Sequence, residues 1–241
     1  MEADDTLDTL LRGKLAIFQG AKGYRVALDS ILLARFVKAG GAKRILDLGC
    51  GNGAIALMLA ALHPAARIVG IEIQAQMVAR ARRGVSLNRF DQRVEVRQGD
   101  IAVIETHFEP ESFDLVVSNP PYRAPRSGRV NPDVEKQIAR HEVRGKLMDF
   151  LRAAAYVLRK DGIFAGVFPA PRSVDLLAGM RDHGIEPKRL RWVHSLVNDP
   201  ASLVLVEGVK AGGVELRVMP PLFIYTRERK YTSELIAILN D

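Results

Sequence analysis

Residues 44–55 read Arg-Ile-Leu-Asp-Leu-Gly-Cys-Gly-Asn-Gly-Ala-Ile, an apolar β-type run that passes into three alternating glycines and then into a helical pattern. Beyond Gly53 the apolar residues Ile55, Met58, Leu59 and Leu62 recur at helical spacing, and Pro64 marks the stop. Strand, glycine-rich turn and helix start suit a ligand-binding α/β unit, because residues without a Cβ let the chain turn tightly and let a ligand approach the backbone. Outward from this unit, β-rich runs at 67–72 (RIVGIE), 94–100 (VEVRQGD), 113–119 (FDLVVSN), 162–168 (GIFAGVF), 189–194 (RLRWVH) and 202–208 (SLVLVEG) alternate with helical stretches such as 146–159. Seven such runs predict a doubly wound, mostly parallel, seven-stranded α/β sheet of Rossmann-like type. The continuous apolar segments IVGI and LVV fit strands covered on both faces.

The flanks are read as parts of one domain spanning 1–241, with a core over 41–241 and an N-terminal extension over 1–40. In the extension, KLAIFQ (14–19) and YRVAL (24–28) are expected to form a small hairpin, and Asp29 to cap the helix SILLARF (30–36). Residues 214–225 are expected to complete the sheet edge, followed by a helical tail. A single cysteine, Cys50, excludes an intrachain disulfide, and C-x-x-C spacing is absent, so no metal is expected and a reducing cytoplasm fits. No apolar run reaches the roughly 18 residues a membrane helix needs, and the acidic start MEADDTLDTLLRGK is unlike a signal peptide. The net charge of +7 favours a polyanionic partner, although many basic proteins simply carry a solvated surface. The expected state is a monomer or a weak homo-oligomer.

Three acidic residues fall at successive strand ends. Asp47 is a charge inside an apolar strand, where burial is costly without a partner. Glu72 ends the second run, where a carboxylate can accept both hydroxyls of a ribose, and Asp100 after Gly99 can accept from an adenine amino group. Each also has a plain reading: a structural acceptor for Asp47, a solvated strand end for Glu72, a helix cap for Asp100. The turn is G-C-G-N-G rather than the G-x-G-x-x-G of pyrophosphate binders, so a nucleoside without a pyrophosphate, such as a sulfonium, suits it better than a dinucleotide. With the neighbouring side chains, the cofactor set is Asp47, Gly49, Gly51, Asn52, Gly53, Glu72, Ile73, Asp100, Ile101 and Asn119. Cys50 is read as a small turn residue, since no base stands beside it.

The fourth run ends in Ser118-Asn119-Pro120-Pro121-Tyr122. Two prolines stiffen the loop and remove two donors, leaving the Asn119 side-chain oxygen and the Pro120 carbonyl as acceptors beside the flat face of Tyr122. An exocyclic amino nitrogen conjugated to a ring is a poor nucleophile. Two acceptors on its hydrogens draw it toward tetrahedral geometry, and an aromatic ring holds the base in line. The plain alternative is an ordinary Pro-Pro turn.

With these residues in view, ILDLGCGNGAI, Glu72, Gly99-Asp100 and SNPPY together resemble the class I, N-methylating branch of the S-adenosylmethionine-dependent methyltransferases, over about residues 40–170. FQGAKGYRVALDSILLARF (18–36) and IARHEVRGKLMDFLRAA (138–154) narrow the likeness to the bacterial adenine-N6 methyltransferases of valine tRNA, which act beside the anticodon. The resemblance implies that Asn119, Pro120, Pro121 and Tyr122 hold the adenine, and that the glycine turn and Glu72 hold S-adenosylmethionine. Gln19, Tyr24 and Asp29 would form a lid. Residues 123–146 hold seven Lys/Arg against three Asp/Glu, a local net charge of +4, and are read either as a phosphate track for tRNA or as a solvated loop and helix. The substrate set is Tyr122, Arg123, Arg126, Arg129, Arg140 and His141, His141 being a base-stacking ring or a helix cap. The regions of Trp192 and Phe223 are read as core.

Two other classes compete. Protein glutamine methyltransferases acting on release factors also resemble the SNPPY core, but carry a helical domain of many tens of residues before it, and only 46 residues precede Asp47. A non-catalytic cofactor-binding module is disfavoured by the intact Asn119 and Tyr122. DNA adenine methyltransferases add a target-recognition domain, and NPPY-type guanine methyltransferases of ribosomal RNA often carry a duplicated N-terminal copy. Neither is expected here.

Overall fold

The computed structural model describes residues 5–20, 28–120 and 147–240. The core strands are β3 (Arg44–Leu48), β4 (Arg67–Glu72), β5 (Val94–Gln98), β6 (Phe113–Ser118), β7 (Leu158–Pro169), β8 (Ile185–His194) and β9 (Ala201–Lys210). They lie in the order β8-β9-β7-β6-β3-β4-β5, with β9 antiparallel and its neighbours all running the same way. Two short strands, β10 (Arg217–Val218) and β11 (Leu222–Phe223), pair in parallel with β8 and finish that edge, as the C-terminal pattern predicts. The seven-stranded expectation therefore holds for the core, and the sheet has nine strands among the described residues.

Helices cover both faces. On one face lie α1 (Leu28–Phe36), α2 (Ala54–Leu62), α3 (Ala75–Leu87) and the tail helix α6 (Ser233–Asn240). A helix over 147–157 (α4) and α5 (Ser173–Asp182) pack on the other. β3 shows why its run is unbroken: Ile45 faces the α2 side, Leu46 and Leu48 face α4, and all three are fully buried. α2 is apolar all round, with every residue from Ala54 to Ala60 buried, so the stripe read from the sequence is only part of its buried surface. Gly84 of α3 lets α2 come close, since a Cβ there would stand 3.2 Å from Leu57.

Several expectations need correction. KLAIFQ does form a hairpin strand, β2 (Leu15–Gly20), and among the described residues it pairs upstream with β1 (Asp5–Leu10), in register Leu10↔Leu15 to Asp5↔Gly20, a pairing not expected from the sequence. The partner that was expected, YRVAL, lies outside the described residues up to Leu28, which belongs to α1. Three successive left-handed residues, Leu11, Arg12 and Gly13, make the turn, and no Asn-Gly or Asp-Gly signal announces it. The helix expected to reach 159 stops at 157 because β7 begins at Leu158, bends through a register shift opposite Phe113 and Leu115, and carries Asp161 at φ 62°. Asp29 sits inside the first turn of α1 rather than before it.

The hairpin is anchored on α3. The Asp5 carboxylate, fully buried, accepts from Arg80 at 2.8 Å and Arg83 at 2.6 Å, and Arg83 also lies over the Phe18 ring at 3.9 Å. The Asn88 amide closes the edge of β2, accepting from the Ala16 N–H at 2.9 Å and donating to its carbonyl at 2.7 Å. No helix among the described residues is long and apolar enough to cross a membrane, and no group of three or more metal-ligating side chains gathers among them.

Candidate active site

The C-terminal ends of the four parallel strands β5, β4, β3 and β6 are stitched together in that order. The Gly99 N–H donates to the Glu72 carbonyl, and the Gly49 and Cys50 N–H groups both donate to the Ile71 carbonyl. The Ser118 hydroxyl donates to the Leu48 carbonyl at 3.1 Å. At a spacing of roughly 4.8 Å per strand, Asp100, Glu72, the glycine turn and Asn119 form a row about 15 Å long. This is the edge where open α/β sheets take ligands.

The glycines divide their work. All three have positive φ: 70° at Gly49, 54° at Gly51 and 83° at Gly53. A Cβ on Gly49 would meet the Phe150 ring of α4 at 3.1 Å, and one on Gly53 would meet Ala81 at 3.0 Å, so these two serve packing. At Gly51 a Cβ would find nothing within 4 Å, so the turn is open toward the site there. Asn52 is buried and donates to the Phe18 carbonyl at 3.1 Å, tying the turn to the hairpin.

Glu72 is buried rather than a solvated strand end. One carboxylate oxygen accepts from Gly51 at 3.0 Å and the other from Gln74 at 2.9 Å, which aligns the carboxylate between the turn and α3 and leaves each oxygen a further lone pair. Beside it Ile73 is 57% exposed, an apolar surface at the mouth of the site, while Ile101 is half-buried against the core of the opposite face. Asp100 takes the capping role: its Oδ1 accepts from Ala102 at 2.9 Å at the start of a short 3-10 turn.

Asp47 is 1% exposed. Its Oδ2 accepts from the Ala56 N–H at 3.1 Å, while Oδ1 is buried with no partner among the described residues. Burial pushes its pKa up to about 7, the Ala56 hydrogen bond opposes this, and the nearby Glu72 charge adds to the rise. Cys50 is buried and its thiol pKa is raised well above normal, first by burial and then by Asp47 and Glu72, so it is a packed turn residue and no nucleophile.

Asn119 continues β6 and donates from Nδ2 to the Ser30 hydroxyl of α1 at 3.0 Å. The sequence reading missed Ser30 and Phe150. Ser30 follows Asp29 like any residue of a helix start, and only the folded chain brings it 89 positions forward to the acceptor loop. Of the lid residues, Gln19 bonds to Asp8 within the hairpin and Asp29 accepts from the Ser30 N–H at 2.7 Å. Pro120 follows Asn119 directly. Tyr24, Pro121, Tyr122, Arg123, Arg126, Arg129, Arg140 and His141 lie outside the described residues. A cavity of about 710 Å³ at the opposite, N-terminal strand ends is lined by Arg44, Arg67, Arg93 and Arg97 against four carboxylates. Arg97 pairs with Glu95 and Arg93 is spent on backbone carbonyls, so that cavity offers no net charge to a ligand.

A family described as "Methyltransferase domain" matches residues 40–170. A tRNA1(Val) (adenine(37)-N6)-methyltransferase of Parabacteroides distasonis is 28% identical over 231 residues, covering 95% of this chain and 94% of that protein. One of the same description from Porphyromonas gingivalis is 33% identical over 189 residues, covering 76% and 73%. A crystal structure of a predicted O-methyltransferase from Agrobacterium tumefaciens superimposes with a TM-score of 0.73 at 24% identity, covering 88% of this chain and 95% of that one, and shows the shared fold.

Proposed function

We propose, from the premise that this chain belongs to the tRNA1(Val) (adenine(37)-N6)-methyltransferase family, that it transfers a methyl group from S-adenosylmethionine to N6 of an adenine beside the anticodon of a tRNA, adenine 37 of valine tRNA being the first candidate. The observation that carries the reading is the row of strand ends, in which the buried Glu72 carboxylate, an open glycine turn and the Asn119 amide follow one another, an order that suits a nucleoside cofactor beside an amino-group substrate. Glu72 is the ribose acceptor, Ile73 and Ile101 flank the cofactor's adenine, and Asp100 accepts from its amino group. The open space at Gly51 and the unpartnered Oδ1 of Asp47 suit a cationic amino-acid sulfonium bound above the turn.

When bound, S-adenosylmethionine would supply an electrophilic methyl, the substrate nitrogen's lone pair forming the N–C bond as the C–S pair returns to sulfur and the nitrogen then losing a proton to water. Asn119 and the Pro120 carbonyl accept from the amino hydrogens and free that lone pair, and Tyr122 stacks on the base. No strong base is needed before transfer, because the methylated, positively charged nitrogen is a far better acid than the starting amine. Rate therefore comes from positioning and from acceptors aimed at developing positive charge. The cytoplasm is the proposed location, where tRNA is met, and Arg123, Arg126, Arg129, Arg140 and His141 are proposed to meet its backbone near the target base.

The test is incubation with labelled cofactor and tRNA lacking modification, beside a release factor in a parallel reaction, with the product nucleoside or amino acid identified by mass spectrometry. N6-Methyladenosine in tRNA is expected. Methylglutamine in the release factor, with unlabelled tRNA, would overturn the reading.

A further inference from the structure

The loop after β11 folds back on itself through an antiparallel bridge between Tyr225 and Tyr231. Their rings stack, with centroids 5.4 Å apart and planes 26° from parallel, yet they remain 36% and 46% exposed. Between them Arg227, Glu228, Arg229 and Lys230 are all exposed, and the three cations make no ion pair among the described residues. The loop is held in shape by Thr226 N–H to Lys230 carbonyl at 2.7 Å and Arg229 N–H to Thr226 carbonyl at 3.0 Å. Below it, the Thr232 hydroxyl donates to the Phe223 carbonyl at 2.7 Å. A protein gains nothing for its own core by stacking two aromatic rings at the surface beside three unpaired cations.

Topology places this loop on the catalytic edge. β8 and β7 both run antiparallel to β9, so His194 at the end of β8 points the same way as Pro169 and Ser118. The Ile224 and Tyr225 N–H groups donate to the His194 and Ser195 carbonyls, each at 2.9 Å. From β6 to β11 the path crosses β7, β9 and β8, four strand spacings, or roughly 19 Å. That is too far for the target base and within reach of the stem that carries it.

We infer that the Tyr225–Tyr231 pair and Arg227, Arg229 and Lys230 form a second RNA-docking platform, on which an unpaired base stacks while the cations take phosphates of the same tRNA. The inference rests on the RNA substrate proposed above. Stacked rings with free cations recognise nucleic acid through π-faces and counterion release, without reading sequence. The platform fixes the orientation of the tRNA, and the acceptor loop selects the base.

The test is tRNA binding by filter assay across a salt series, independent of turnover, for the full chain. The double variant Arg227→Glu/Arg229→Glu keeps every backbone bond of the loop. It is expected to bind tRNA at least about fivefold more weakly and to lose a slope of roughly 0.7–0.9 per lost contact in log K against log salt, with S-adenosylmethionine affinity unchanged. Tyr225→Ala/Tyr231→Ala is expected to cost roughly 5- to 100-fold in tRNA affinity. Tyr225→Phe/Tyr231→Phe retains the stacking and should bind nearly as wild type does. Wild-type tRNA affinity and salt slope in the charge-reversed variant overturn the platform. So does weakened binding of a release factor with tRNA binding intact. Failure of wild-type protein to methylate tRNA while it still binds tRNA through these residues overturns the proposed reaction alone.

Discussion

The Asn119 amide donates to the Ser30 hydroxyl at 3.0 Å, joining the acceptor loop of β6 to the first turn of α1. Ser30 in turn points its hydroxyl at Asp29 Oδ1, 3.5 Å away, and so meets Asn119 as an acceptor. An acceptor there fixes which end of the Asn119 amide faces α1: it must be Nδ2, which directs Oδ1 elsewhere. In the proposed mechanism Ser30 is thus a positioning residue. Ser30→Ala is expected to lower kcat about tenfold with S-adenosylmethionine affinity and Tm close to wild type, and Ser30→Thr to restore much of the loss. Equal turnover in Ser30→Ala would separate Ser30 from the chemistry.

Asn119→Ala removes the acceptor itself. Loss of one preorganised hydrogen bond to developing charge typically costs about 10²–10³ in rate, so single-turnover methylation should fall by that factor. Cofactor binding, measured by calorimetry, should stay within about twofold, since Glu72 and the glycine turn are untouched. Near-normal turnover would rule out the amino-acceptor mechanism.

Gly51 and Glu72 test the proposed cofactor edge from two sides. Gly51→Ala adds a methyl into open space, so the fold should lose only about 1–2 kcal/mol for the left-handed backbone, while S-adenosylmethionine binding weakens sharply. Glu72→Gln turns one acceptor into a donor facing a backbone N–H, and hydrogen bonds to charged groups are worth about 1.5–3 kcal/mol. At about 1.4 kcal/mol per decade, a Kd at least tenfold higher is expected. Unchanged affinity in both variants would remove this edge from the cofactor site.

Asp47 is expected to make the cofactor affinity depend on pH. Its folded pKa of about 7 stands above the ordinary carboxyl value of 3.8, so between the two the folded chain holds a proton that the unfolded chain has released. Stability without cofactor should therefore decline as pH rises from about 4 through 7, and Asp47→Asn should flatten the decline. A cation bound above the turn favours the ionised carboxylate. S-Adenosylmethionine binding is thus expected to release protons near pH 6 and to tighten as pH rises toward 8, an effect that the Asp47→Asn variant loses. Calorimetry in buffers of different ionisation heat measures that proton count, and the same count in both proteins would contradict the assignment.

The sheet was legible because its strands are covered on both faces: a run such as Leu115-Val116-Val117 has no exposed side to disguise it. The row of carboxylates and glycines at the strand ends was legible for a related reason, since a carboxylate at the end of an apolar strand has to be explained. What escaped were relationships that depend on distance along the chain. The pairing of β1 with β2 was missed because Asp5–Leu10 carries two aspartates, and Asp5 becomes a core residue only when Arg80 and Arg83 arrive to neutralise it. Ser30 escaped because a hydroxyl at a helix start is ordinarily satisfied by its own helix. The cap on Asp100 shows the opposite case, in which the plain reading and the ligand reading fall on the same carboxylate.

The anchoring of the hairpin also sets an order of events at the ribosome. Residues 5–20 are synthesised before the surface they need, since Arg80 follows Asp5 by 75 positions. At roughly 5–20 residues per second, the wait is about 4–15 s, during which two strands alone are at best marginally stable. Until α3 emerges, Asp5 stays hydrated and the strands interconvert with open chain. The hairpin that Asn52 ties to the glycine turn is therefore among the later parts of the nascent protein to settle, although its residues are translated first.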